Sequence, residues 1–269
     1  MRTTEKASRY DNLDKMSTLE ILNGINAEDM MVPQVVAGSI PQIEKLVDAV
    51  VDRMQHGGRV FYIGSGTSGR LGIVDASEIP PTYGIKGKFI GIIAGGDTAI
   101  RNAVEGAEDD REQGWKDLLP FSPTSDDVLV GITASGVTPY VLGVVEEARR
   151  NGILTACITN NDGSPLEELV DIPIITVTGP EFVTGSTRMK SGTALKLILN
   201  MISTAVMIRL GHVRGNRMVD MELTNSKLVD RGTRMIMEET GITDYDYAKS
   251  LLLRFGNVRT AVESYQNGN

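Results

Sequence analysis

Five short apolar runs recur along this chain, each closed by a turn and most followed by a helical pattern. That alternation restricts the fold more than any other feature. The runs cover residues 60–63, 88–93, 127–132, 154–159 and 172–177. They are almost continuously apolar, without the polar-apolar alternation of a half-exposed strand. Strands buried on both faces read this way, and helices alternating with them indicate a parallel sheet. The expected fold class is α/β: a five-stranded, mostly parallel sheet flanked by helices, a Rossmann-like three-layer sandwich. Ligands of such sheets bind beyond the carboxyl ends of the strands. The loops that follow strands are therefore where functional residues are expected.

Helical periods fill the intervals. Ile43, Leu46, Val47, Val50, Val51 and Met54 share one face of a helix over 41–56, with Pro41 near its start and Gly57-Gly58 at its end. Ser17-Thr18-Leu19-Glu20 is a capping signal. A further helix is expected over 140–150, and a long one over 187–210. The apolar part of the latter, 195–210, is interrupted by Lys196, Asn200 and Arg209 and is shorter than the ~20 residues of a membrane span. After Gly215 only helical patterns remain, over 220–239, 244–254 and 258–263. Three segments follow: 1–40, an N-terminal helical segment packing on the core; 41–215, the sheet domain; and 216–269, a small helical appendage. Met201, Met207, Met218, Met221, Met235 and Met237 are expected to pack helices.

Composition removes several function classes. The 35 acidic and 27 basic side chains leave a net charge of −8, the wrong sign for a nucleic-acid footprint. Cys157 is the one cysteine, so neither an internal disulfide nor a thiolate metal site can form. His56 and His212 are isolated in sequence, and no metal is expected. The first residues lack the apolar core of a signal peptide. A cytoplasmic protein with no membrane or nucleic-acid partner is the expectation.

The first strand runs into Gly64-Ser65-Gly66-Thr67-Ser68-Gly69-Arg70, a G-x-G-x-x-G loop. A dinucleotide site would also place an acid at the end of the second strand. That strand instead ends Ile92-Ile93-Ala94-Gly95-Gly96, and Asp97 follows the two glycines. Three hydroxyls and free N–H groups at a helix start suit a monophosphate or sugar hydroxyls equally well. Taken alone, the loop leaves a dinucleotide, a phosphosugar and a ligand-free turn all open. A second loop narrows the choice. The third strand ends in Thr133-Ala134-Ser135-Gly136-Val137-Thr138-Pro139. One hydroxyl there serves as a helix cap, but three are present. Two hydroxyl-rich loops after two parallel strands form one composite anion site. Two acidic stretches accompany it. Glu78 precedes Pro80-Pro81, which fix the backbone. The cluster Glu105-Gly106-Ala107-Glu108-Asp109-Asp110 reads as a solvated helix start, with Glu105 and Glu108 on one face at i, i+3.

The two loops resemble those of sugar isomerase (SIS) domains, which bind phosphosugars. Longer runs at 17–20, 25–29, 64–72, 75–84, 103–109 and 183–194 are similar to the N-acetylmuramic acid 6-phosphate etherase family. That family is related to the non-catalytic glucokinase regulatory protein. The resemblance implies cleavage of the D-lactyl ether of N-acetylmuramic acid 6-phosphate to N-acetylglucosamine 6-phosphate and D-lactate. It assigns Glu78 as general acid and Glu108 as general base. It implies substrate contacts from Ser65, Gly66, Thr67 and Ser68, and phosphate ligation by Thr133, Ser135, Gly136 and Thr138. Glu181, Ser186, Arg188 and Lys190 complete the expected substrate contacts. Arg188 and Lys190 read either as surface charge or as ligands of the lactyl carboxylate or the phosphate, reached across a homodimer interface. The chemistry needs no cofactor. A phosphosugar-binding regulatory protein and an aldose–ketose isomerase are the alternatives on the same fold.

Overall fold

Each apolar run becomes a strand of a single parallel sheet in the computed structural model, which describes residues 2–268. The strands are β1 (Val60–Gly64), β2 (Phe89–Ile93), β3 (Val128–Ile132), β4 (Leu154–Thr159) and β5 (Ile172–Ile175). They lie in the order β2-β1-β3-β4-β5. The chain leaves β1 for a neighbour on one side and then returns to form β3 on the other. This reversal opens a crevice outside the carboxyl ends of β1 and β3. The two hydroxyl-rich loops are the ones that flank it.

The helices before the sheet are α1 (Thr18–Asp29), α2 (Val32–Ala37) and α3 (Ile40–Gln55). Ser17 and Glu20 close a capping box at the start of α1: Ser17 Oγ accepts from the Glu20 N–H, and Glu20 accepts from the Ser17 N–H. Next come α4 (Gly66–Ser77), α5 (Ile79–Tyr83), α6 (Gly96–Arg101), α7 (Gln113–Leu118), α8 (Pro139–Arg150) and α9 (Pro165–Leu169). The long α10 (Lys190–Arg209) follows β5.

Side chains alternate across the sheet, as the strand period requires. Phe61, Ile63 and Leu129 pack in one core cluster with Tyr140, Val141 and Val144 of α8. Tyr62 points the other way, onto Gly72 of α4, where an added Cβ would lie 3.0 Å from the Tyr62 Cβ. All six of those apolar core side chains are fully buried, and each contributes roughly 1.5–3 kcal/mol. Cys157 belongs to the same core, and burial pushes its thiol up to about 12. It is a packing residue with no thiolate chemistry. The 20 residues of α10 match a membrane span in length and mean hydropathy, but 56% of that stretch is buried. Ala194, Leu195, Ile198, Leu199 and Ile202 form its inner face, the pattern of a core helix.

An ion pair between the partly exposed Arg59 and the buried Asp127 ties the entry of β1 to that of β3. Asp127 accepts from the Arg59 backbone N–H (2.8 Å), Arg59 Nε (3.0 Å), Arg59 Nη2 (2.7 Å) and the Thr124 N–H (2.8 Å). Burial opposes its charge, but Arg59 and these donors outweigh burial and hold the carboxyl below its usual range. A depressed acid contributes stability above its unfolded pKa and loses it as pH falls through the folded one. Asp127→Asn is expected to cost on the order of 3 kcal/mol at neutral pH. The gap to the parent in chemical denaturation should stay constant above about pH 5 and narrow below about pH 4. A gap independent of pH would assign the loss to packing.

The chain divides into two compact units, Met1–Ser77 with Lys88–Val206, and Glu78–Gly87 with Met207–Asn269. The second draws residues 78–87 from the middle of the sequence. Its later part opens with a two-stranded ribbon, β6 (Val213–Arg214) and β7 (Arg217–Met218), for which the sequence carries no strand signal. Then follow α11 (Ser226–Thr240), α12 (Tyr245–Phe255) and α13 (Val258–Gln266). Asn225, Asp244 and Asn257 cap these three helices through their side chains. Val219, Met221, Met235, Ile236 and Leu252 belong to a separate core. Met201, expected inside, is instead 38% exposed on α10. Asp220 joins His212 (2.9 Å) to Arg259 (2.7 Å). Burial works against its charge, but the Arg259 guanidinium and the His212 hydrogen bond prevail and hold it low. His212 is thereby a structural residue.

Candidate active site

The crevice at the ends of β1 and β3 holds a cavity of about 270 Å³. Its floor comes from the two loops read in the sequence: Ser65, Thr67 and Ser68 after β1, and Thr133, Ser135 and Thr138 after β3. Glu108 forms part of the wall.

The first loop is tight because of its glycines. A Cβ on Gly69 would lie 2.6 Å from Ile93 Cγ1 and 2.8 Å from the Gly64 carbonyl oxygen. That closeness lets α4 begin directly at Gly66, so the first-turn N–H groups border the crevice. In the second loop, Gly136 adopts φ +72° and its Cα faces Ser164, whose Cβ would be 2.4 Å from an added methyl. The loop is fastened from behind by Asn161 Nδ2 and Thr159 Oγ1, which donate to the Ala134 carbonyl at 2.8 and 3.2 Å. Thr138 occupies the N-cap position of α8, yet its hydroxyl makes no cap bond. It meets Thr133 Oγ1 at 2.7 Å, and Thr133 Oγ1 meets Ser135 Oγ at 3.2 Å. Three hydroxyls thus bond one another around one point. Capping does not account for them.

The acidic cluster is not a helix. Residues 104–109 form consecutive turns, and Gly106 has φ +72°. The expected i, i+3 helix face is therefore absent, and Glu105 and Glu108 separate. Glu108 accepts a hydrogen bond from Ser65 Oγ at 2.7 Å. Its backbone carbonyl accepts from the Tyr140 N–H at 3.0 Å, which fixes it to the start of α8. Gly143 makes this possible: an added Cβ there would lie 1.7 Å from the Arg111 carbonyl oxygen. Glu78 lies in the second unit, exposed, at the N-cap position of α5 with no cap bond from its side chain.

Glu181 and Lys190, expected to touch substrate, are used inside the protein. Glu181 is fully buried and accepts from the Lys190 N–H (2.8 Å), the Ser191 N–H (3.0 Å) and the Ser191 hydroxyl (2.7 Å), closing the start of α10. Lys190 is 1% exposed, and its ammonium group is paired with buried Glu28 of α1. Ser186 lies in a turn, with its N–H donating to the Val183 carbonyl, and Arg188 is exposed. Neither lines the cavity; their neighbour Thr187 does.

The sequence reading missed Thr187 and also Arg2 and Glu5, which line the cavity from the N-terminal segment. That segment is anchored by Thr4, whose N–H donates to Asn161 Oδ1 while Thr4 Oγ1 accepts from Asn161 Nδ2. Ser8 adds bonds to the Phe182 carbonyl (2.7 Å) and Thr184 Oγ1 (2.9 Å). No local pattern announces these contacts, which span more than 150 residues.

This fold, with its paired hydroxyl loops, defines a sugar isomerase (SIS) domain protein. The model of the glucokinase regulatory protein N-terminal SIS domain matches residues 42–149, and the SIS domain model matches 119–205. Among solved structures, a phosphoheptose isomerase from Francisella tularensis aligns with TM-score 0.53 at 22% identity, over 70% of this chain and all of that one. The phosphoheptose isomerase of Neisseria gonorrhoeae aligns with TM-score 0.53 at 19% identity, over 70% of this chain and 98% of its own. Much higher identity comes from proteins named N-acetylmuramic acid 6-phosphate etherase. That of Christiangramia forsetii is 60% identical over 98% of this chain and 96% of the relative. That of Bacteroides thetaiotaomicron is 57% identical over 100% and 97%. The chain belongs to the N-acetylmuramic acid 6-phosphate etherase family.

Proposed function

We propose that the protein cleaves the D-lactyl ether of N-acetylmuramic acid 6-phosphate, giving N-acetylglucosamine 6-phosphate and D-lactate, in the recycling of cell-wall amino sugars. Family membership at 60% identity carries this reading. The chemistry suits two carboxylates. In the open-chain aldehyde the C2 proton is α to the carbonyl, and the C3 ether oxygen is β to it. Glu108 takes the C2 proton and Glu78 protonates the departing oxygen, so that lactate leaves and a C2=C3 double bond forms. Water then adds at C3 and a proton returns to C2. Acid–base catalysis of this kind needs two groups with separate tasks. No electron is transferred, so the reaction needs no redox cofactor. The position of Glu108 on the cavity wall, accepting from Ser65, supports its role.

The phosphate is assigned to Thr133, Ser135 and Thr138 with the Gly136 N–H, and the sugar hydroxyls to Ser65, Gly66, Thr67 and Ser68. Arg2 supplies the positive charge: it is the one cation lining this cavity among the described residues. Arg2→Ala is expected to raise KM by about 10- to 100-fold, the worth of a charged hydrogen bond, with kcat little changed. An unchanged KM would remove Arg2 from the site. A homodimer with Arg188 reaching the partner's site and a cytoplasmic location complete the proposal. Incubation with the muramyl phosphate and an assay for D-lactate tests the function. Binding without lactate release would favour a regulatory protein, and ketose formation an isomerase.

A further inference from the structure

A second cleft, of about 340 Å³, adjoins the first. The two share Ser65 and Glu108, so the hydrogen-bonded pair that holds the proposed base forms the partition. Their chemistry differs. The first is lined mainly by hydroxyls. The second is lined by the methyl groups of Ala94, Ala99, Ala103, Val104 and Ala107, with one cation, Arg70 of α4. Gly95, at φ +87°, lets Val104 close over it: an added Cβ would be 2.8 Å from Val104 Cβ.

Arg70 is oriented but not neutralised. Its Nε donates to the Ile100 carbonyl at 3.0 Å, while its two terminal nitrogens have no carboxylate within ion-pair distance among the described residues. A fixed guanidinium beside small apolar side chains matches an anion that carries a methyl group. The lactyl substituent, –CH(CH₃)–COO⁻, has both parts. The 2-acetamido group has a methyl but no charge, and the phosphate has charge but no apolar part.

We propose that this cleft is the lactyl subsite and that Arg70 binds the lactyl carboxylate. The assignment rests on the etherase reading and adds to it a residue that distinguishes substrate from product. Glu105 and Glu108 also line the cleft, so a bound lactyl carboxylate stands near the base.

The test compares two ligands in two variants. Arg70→Met is expected to lower kcat/KM for N-acetylmuramic acid 6-phosphate by about 10- to 100-fold, as for loss of a charged hydrogen bond. The inhibition constant of N-acetylglucosamine 6-phosphate, which lacks the lactyl group, should move less than about threefold, roughly 0.6 kcal/mol. Ala103→Leu, which fills the cleft without changing its charge, should show the same selectivity. Should both ligands weaken equally, the cleft holds the acetamido group or another shared part, and the proposal is wrong. Unchanged kinetics in both variants would also overturn it. If the parent protein binds the muramyl phosphate but releases no lactate, only the etherase reading fails. Calorimetric titration of the two ligands into the same variants then decides the subsite.

Discussion

Glu108→Gln is expected to lower kcat for lactate release by about 10²- to 10⁴-fold, the usual worth of a positioned general base. KM should change little, because an amide keeps the size of the side chain and still accepts from Ser65 Oγ. Glu105→Gln should keep a kcat near that of the parent, with any change confined to KM: Glu105 lines the second cleft but sits on a different turn from Glu108, across the left-handed Gly106. Hydrogen exchange at C2 in D₂O separates the two proton transfers. Without the base, exchange and lactate release both stop. Without the acid, in Glu78→Gln, the C2 proton still exchanges while lactate is retained. If Glu78→Gln lost lactate release and Glu108→Gln did not, the pairing would be wrong. Equal damage from Glu105→Gln would move the base within the acidic cluster.

Lys190→Met is expected to destabilise the protein by about 3–5 kcal/mol, because it leaves the Glu28 carboxylate buried without its ammonium partner. Arg9, 3.7 Å from the other oxygen of Glu28, is half exposed and compensates little. For a chain of this size the loss corresponds to a fall in Tm of roughly 10 °C. Changing both partners, Glu28→Met with Lys190→Met, should recover much of it, since a buried pair replaced by apolar residues is often nearly neutral. Urea denaturation of the three variants measures this directly. A single variant with parental stability and a raised KM would return Lys190 to the substrate, the role its place in the sequence suggested.

These two residues show where sequence reading succeeds and where it stops. The run 183–194 marks the family, yet it does not say which of its charges faces a ligand. Lys190 and Glu28 are 162 positions apart, and only their meeting in the folded chain assigns the ammonium group to structure. Glu108 shows the converse. Its cluster reads as a helix start, and the family resemblance alone singled it out. The turn at Gly106 then separated it from Glu105, because a left-handed residue cannot continue a helix. Arg2, Glu5 and Thr187 carried no signal in sequence, since the contacts that bring them to the cavity are long-range.

The five strands, most of the helices and the two hydroxyl loops were legible in the chain before folding. Each of these is encoded locally, in a period of side chains or in glycines that fix a turn. Which loops meet was settled only by the folded arrangement, because strand order is set by the packing of helices across the sheet. So was the question of which charges are free to act. A carboxylate or ammonium group becomes a ligand, a catalyst or a buried partner according to its neighbours in space, and those lie far away along the chain.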